Sequence, residues 1–392
     1  MAKSIVNRGS RETLLAHREA LGNLREILFA NVVMAGEIPA PTGYERRITR
    51  FLSDRFTECG LDNISLDQAG NVAGVISGKT GRRNLLVAAH VDKIWAESED
   101  HTVSVGVGVM SGRGLADNSL GAAVLATLPL ILDELGITLD ANLILLGTTR
   151  SFGRGDLRGM RFFLENSAWE IDSALCLEGM ALGRLSFSSL GMARGEIVVE
   201  VVRPHDEESA TEVSPGVVPT LSELIEAMLA INRRGCPDTR VLIGSIESGS
   251  GYSVPPGRGL VRFEIRSLDA DRVSEVEAEL VQLVERFSGR SGTTVGIEII
   301  ARRRPGNLGL DHPLVREAGE ILVALGLESR VEPSVSELAA LLDRRIPSLT
   351  LGLTKGENRH SPEESILLDP IFDGLAQLVA MLQFMDGGDF TF

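Results

Sequence analysis

The 392-residue chain carries 39 Lys and Arg against 54 Asp and Glu, a formal charge of −15, with no basic run longer than Arg302-Arg303-Arg304. That balance excludes a basic nucleic-acid face. Hydrophobic residues at 43% exclude a disordered chain, aromatics at 4% predict aliphatic cores, and the length predicts two domains.

The first helix is expected over 13–34, from apolar Leu14, Leu15, Leu21, Leu24, Ile27 and Leu28, and Ile38-Pro-Ala-Pro-Thr-Gly43 breaks it. Residues 1–25 are charged throughout and lack a signal-peptide core, and no apolar run is read as long enough to span a membrane. A second helix is expected over 45–59, capped by Gly60. Strands then alternate with helices: 84–89 (NLLVAA), a long apolar helix over 118–135, 142–147 (NLILLG), a helix over 157–166, and 173–177 (SALCL). This order predicts an α/β domain with a mostly parallel sheet covered on both faces. After about residue 195 the pattern becomes β-α-β-β-α-β, through strands at 196–202, 240–246, 259–265 and 293–300 and helices at 221–232 and 271–288. That is the ferredoxin-like split βαβ. The first pattern resumes with a helix over 312–325, a strand over 348–353 (SLTLGL) and a helix over 368–384. The expected division is 1–194 and 305–392 for the α/β domain and 195–304 for a smaller inserted domain. The three cysteines, Cys59, Cys176 and Cys236, are odd in number and irregularly spaced, as reduced cytoplasmic thiols are.

Ligands of open α/β sheets bind outside the carboxyl ends of the strands. His90-Val-Asp92 follows the first apolar run, Thr148 to Gly153 the second, and Glu178 the third, while a loop containing His360 follows the last strand. Asp117 precedes the long helix. Two histidines and three carboxylates thus fall on one rim, a donor mix suited to zinc, cobalt or manganese. Asp92, two residues beyond His90 in an extended segment, faces the same way and is placed to orient the imidazole. Alone, Asp117 reads as a helix N-cap, and His90, Glu178 and His360 as ordinary strand-end or loop residues. Their joint placement makes the case.

With these motifs in view, the chain resembles the dinuclear zinc exopeptidases and amidases that include carboxypeptidase G, peptidase T, tripeptidases, acetylornithine deacetylase and succinyl-diaminopimelate desuccinylase. The matching segments are Ile38-Pro-Ala-Pro-Thr42, His90-Val-Asp92, Gly112-Arg-Gly-Leu-Ala-Asp117, Gly155-Asp-Leu-Arg-Gly159, Glu264-Ile-Arg266 and His360-Ser-Pro-Glu-Glu364. The resemblance implies a catalytic domain with an inserted lid that often dimerises, and two metal ions sharing one carboxylate. Carried over by position, Asp117 is the bridge, His90 and Glu178 complete one site, and His360 belongs to the partner site. Arg266 matches a lid-strand arginine that grips a substrate carboxylate, with an exposed strand residue as the alternative. His205 is a weaker match to an oxyanion-stabilising histidine lent across a dimer.

One departure matters. The resemblance calls for a Glu-Glu pair after the strand at 142–147, one glutamate as general base and the other as second-metal ligand. The chain has Arg150, Ser151 and Phe152 there, without a carboxylate in either register. Ser119 and Ser253 are smaller departures, standing where the resemblance calls for a lysine and an asparagine. A missing general base costs ~10²–10⁴-fold in rate. The expectation is therefore a metallopeptidase or amidohydrolase relative with impaired hydrolysis, a pseudoenzyme holding one zinc ion, with cobalt or manganese as alternatives. A working one-metal aminopeptidase-like exopeptidase or N-acyl amino acid amidohydrolase with a substitute base remains the other reading. Arg150 is expected to pair with Asp117 as a fixed cation. Expected partners are a small peptide or N-acyl amino acid and a second copy of the chain, with no nucleic acid and no membrane.

Overall fold

The computed structural model describes residues 8–202, 216–233 and 238–392. It divides into two compact units, Leu190–Gly306 and a larger one made of Met1–Ser189 and Asn307–Phe392.

The larger unit is built on an eight-stranded mixed sheet. Its order is Asp62–Leu66, Val72–Ile76, Asn142–Thr148, Asn84–His90, Ser173–Glu178, Ser348–Gly352, Arg184–Ser186, Arg330–Val331. The four central strands, Asn142–Thr148 to Ser348–Gly352, run parallel. Antiparallel pairs flank them on either side. The central strands are continuous apolar runs because each strand is packed on both faces. Strand alternation then sorts the side chains into two layers. Leu85, Val87, Ala89, Leu143, Leu145, Leu175 and Leu177 pack with the helices Leu120–Glu134 and Ile371–Asp386. Leu86, Ala88, Ile144, Leu146, Ala174 and Cys176 face the opposite layer, made by Leu157, Met160, Phe163 and the helix Leu338–Asp343.

Several elements differ from the sequence expectation. The single helix over 13–34 is two helices, Arg8–Ala20 and Arg25–Glu37, joined by a 3-10 turn at Leu21–Leu24, where Gly22 and Asn23 weaken helical continuity. The helix Arg46–Glu58 ends as expected before Gly60, which takes φ +71. The segment Leu115–Glu134 is, contrary to expectation, long and apolar enough to cross a membrane, but 89% of its apolar window is buried within the fold. It is apolar all round because sheet and helices cover it together.

The smaller unit has the order strand Gly191–Val201, helix Val218–Asn232, strands Thr239–Ser248 and Arg258–Ser267, helix Ala270–Phe287, strand Thr293–Arg303. Its sheet is antiparallel, with Gly191–Val201 and Arg258–Ser267 central. Ile197, Val261, Phe263 and Ile265 pack against Leu224, Met228, Leu280 and Leu283 of the two helices, a core of its own. The unit begins at Leu190 rather than 195 because its first strand already pairs from Gly191.

Candidate metal centre

Four parallel strands end on one rim of the larger sheet, at Thr148, His90, Glu178 and Gly352. The two-residue period decides where the first three point. His90 continues the layer of Leu86 and Ala88, Thr148 that of Ile144 and Leu146, and Glu178 that of Ala174 and Cys176. Asp117 arrives from the irregular turn Leu115–Ser119, and its peptide bond to Asn118 is cis. Gly179 lets that turn come close, since a Cβ there would lie on the Ala116 carbonyl oxygen. Asn118 fixes the turn to the sheet by donating to the Leu177 carbonyl at 2.8 Å. Its Oδ1 accepts from the Gly121 amide at 3.1 Å, so capping falls to Asn118 and leaves the Asp117 carboxylate for the rim.

The result is a compact group. One ligand atom each from His90, Asp117 and Glu178, all buried, lie within 4.8 Å of one another. His90 Nε2 is 3.0 Å from Asp117 Oδ1. On the other side of the ring, Nδ1 faces the Asp92 carbonyl oxygen at 3.3 Å and its Oδ1 at 3.6 Å. Asp92 Oδ2 accepts from the Thr42 hydroxyl at 2.8 Å, the Ser151 amide at 2.8 Å and the Phe152 amide at 3.0 Å. The Phe152 ring meets His90 edge-on, with centroids 4.9 Å apart. His360 reaches the same carboxylate from the opposite loop, its Nε2 hydrogen-bonded to Asp117 Oδ2.

A family model described as peptidase family M20/M25/M40 matches residues 86–383, most of the chain. The chain belongs to this family. No curated protein sequence matches it. A tripeptidase from Staphylococcus aureus superposes with a TM-score of 0.70 at 18% identity, over 93% of this chain and 98% of its own. The di-peptidase Dug1p from Saccharomyces cerevisiae gives 0.74 at 13% identity, over 96% and 99%. A dinuclear metal-binding M20 peptidase from Bacillus subtilis gives 0.63 at 15%, over 93% and 98%. At these identities the structures share the fold.

Do the residues of this M20 chain fit a metal? Around a tetrahedral ion with bonds near 2.1 Å, ligand atoms stand roughly 3.4 Å apart. The His90, Asp117 and Glu178 atoms, within 4.8 Å, reach that spacing with a small contraction. One ion fits. On the His360 side no such group of three forms among the described residues: His360 meets Asp117, and a guanidinium already lies there. Arg359 Nη2 lies 3.0 Å from Asp117 Oδ2 and 3.3 Å from Glu178 Oε2, and its Nε donates to Asp117 Oδ2 at 3.2 Å.

That geometry corrects the expectation for Arg150. Among the described residues the ionic partners of Asp117 are His90, His360 and Arg359, not Arg150. The Arg150 amide instead donates to Glu45 Oε1 at 2.9 Å, and its backbone takes φ +54. Burial disfavours the charged forms of Asp117 and His90, yet neighbouring charges win. The His360 and His90 contacts hold the Asp117 carboxyl well below its usual range. Asp117 and Asp92 hold the His90 imidazole well above its own.

Arg266 belongs to the smaller unit, where its Nε donates to Glu264 Oε2 at 2.8 Å and Arg194 takes the other oxygen at 2.7 Å. His205 lies outside the described residues. Three contributors escaped the sequence reading. Arg359 is one, and only its place beside His360 hinted at it. Glu364 is the second: its carboxylate accepts from the Ala116 amide at 2.6 Å, the Asp117 amide at 3.3 Å and the His360 amide at 3.0 Å, joining the two loops of the centre. The third is Glu337, fully buried at the start of the helix Leu338–Asp343, whose carboxylate accepts from the Ser151 hydroxyl and, at 3.3 Å, from Thr148. A six-residue helix gave no periodicity to reveal it.

Proposed function

We propose that this chain is a ligand-binding M20 member with impaired peptide and amide hydrolysis. It takes at most one divalent ion, zinc before cobalt or manganese, through His90, Asp117 and Glu178. The observation that carries this reading is the end of the strand Asn142–Thr148. Arg150, Ser151 and Phe152 bring no carboxylate there, and the Ser151 and Phe152 amides are fixed on Asp92. Bound at this site, an ion would polarise a carbonyl and acidify water. What the chain itself supplies is orientation: Asp92 backs His90, Glu364 sets the Asp117 turn, and Phe152 packs against the imidazole at nearly a right angle. The ligand class is a small peptide or N-acyl amino acid, with Arg266 as the residue for its carboxylate, and the smaller unit as the contact for a second copy of the chain. Elemental analysis after zinc loading, followed by hydrolysis of a panel of di- and tripeptides and N-acyl amino acids, is the test. One bound ion with turnover ~10²–10⁴-fold below that of an active peptidase is expected. Fast, chelator-sensitive turnover lost in Glu178→Ala would defeat the impairment.

One observation favours retained activity. Burial pushes the Glu337 carboxyl above its usual pKa, the direction a general base needs, and Ser151 ties it to the strand end. If Glu337 is a substitute base, Glu337→Gln abolishes turnover in the same panel and leaves zinc content unchanged.

A further inference from the structure

Arg359 immediately precedes His360 on a loop where Asn358 and His360 both take left-handed backbone, with φ +57 and +67. Such conformations are costly away from glycine and collect at functional sites. Here the winding brings two consecutive side chains onto one oxygen, Asp117 Oδ2. The Arg359 guanidinium continues to Glu178 Oε2 at 3.3 Å, so it bridges two of the three members of the candidate metal group. His90 occupies the other oxygen of Asp117 at 3.0 Å. The arginine side chain is 37% exposed, which leaves it a path into solvent.

We infer that Arg359 is a built-in counter-cation of this centre: it neutralises Asp117 and Glu178 in the metal-free chain and competes with a divalent ion for them. The inference rests on the metal-centre reading above. An ion held by the Asp117 and Glu178 carboxylates at ~2.1 Å would stand within roughly 5–8 Å of Arg359 Nη2, because Nη2 lies 3.0 Å from one carboxylate and 3.3 Å from the other. Two cations that close repel strongly where protein has replaced water. Metal therefore enters against the guanidinium, either by expelling it to solvent or by accepting weaker binding beside it.

The test uses the full chain, stripped with chelator, as wild type, Arg359→Gln and Arg359→Lys. Zinc alone is titrated by calorimetry, and melting is followed with and without chelator. Arg359→Gln is expected to bind zinc ~10–100-fold more tightly than wild type and to melt lower in chelator. Arg359→Lys, which keeps the charge, stays within a few-fold of wild type. Equal zinc affinity in wild type and Arg359→Gln overturns the counter-cation while leaving the metal centre standing. If none of the three proteins takes zinc, the metal-centre reading fails. In that event, a melting loss in Arg359→Gln that Asp117→Asn relieves preserves the charge-neutralising role, and an unchanged melting point removes it.

Discussion

The ammonium of Lys93 is buried, and it donates to the carbonyls of Ala35 at 3.0 Å, Gly36 at 2.7 Å and Ile38 at 2.9 Å. These oxygens end the helix Arg25–Glu37, where unpaired carbonyls and the helix dipole favour a cation. Gly114 makes room for the stem, since a Cβ there would come within 2.8 Å of Lys93 Cδ. Burial nonetheless lowers the Lys93 pKa from 10.5 to about 7. Below pH 7 both folded and unfolded chains keep this proton. Between about pH 7 and 10.5 the folded chain releases it first, so the unfolded state binds more protons and stability rises with pH. At ~1.4 kcal/mol per pKa unit the gain from pH 7 to 9.5 is at most roughly 3 kcal/mol. Urea denaturation at both pH values is expected to show that slope in the wild type and its loss in Lys93→Met. Equal slopes would mean that the three carbonyls keep the ammonium charged throughout.

At the scale of elements, the centre depends on two loops being fastened together rather than on either alone. Glu364 does the fastening, with two amides of the Asp117 turn on Oε1 and the His360 amide on Oε2. Glutamine in its place could satisfy only one side, because its amide NH₂ would oppose an N–H donor. Glu364→Gln is therefore expected to cost ~1–3 kcal/mol. Faster hydrogen exchange at the His360 amide is expected with it, read by mass spectrometry alongside chemical denaturation. Unchanged exchange at His360 would show that the loop is held by other contacts. None of this fastening was readable in sequence, where Glu364 is only the last letter of a short motif.

For the whole molecule, the parts that were legible are those that announce themselves by length. The central strands are unbroken aliphatic runs, and the helix Ala270–Phe287 carries its apolar residues at helical spacing, so both appear in a linear reading. The edge strands Arg184–Ser186 and Arg330–Val331 do not, because two or three residues pair only when distant chain offers them a partner. The site was legible to the same degree: strand ends marked His90 and Glu178, whereas Arg359 took a role that the sequence had suggested for Arg150. The separate core of the smaller unit yields its own prediction. Phe263, 1% exposed at the centre of that core, is expected to cost ~3–5 kcal/mol when cut to alanine. That loss should appear as faster exchange in the strands Gly191–Val201 and Thr293–Arg303, with protection of Asn84–His90 retained. Loss of protection in both units would show that they unfold together.

The alternation along Asn84–His90 also limits how this rim tolerates change in chain length. Deleting one residue from the strand would rotate the imidazole into the aliphatic layer under the helix Leu120–Glu134 and bring the Val91 side chain to its place on the rim. Deleting two would restore the facing but pull the ring back by ~6.6 Å, beyond reach of Asp117. Point replacement at positions such as 150, 151 and 359 can rewrite the chemistry here, while insertions and deletions in the strands erase it.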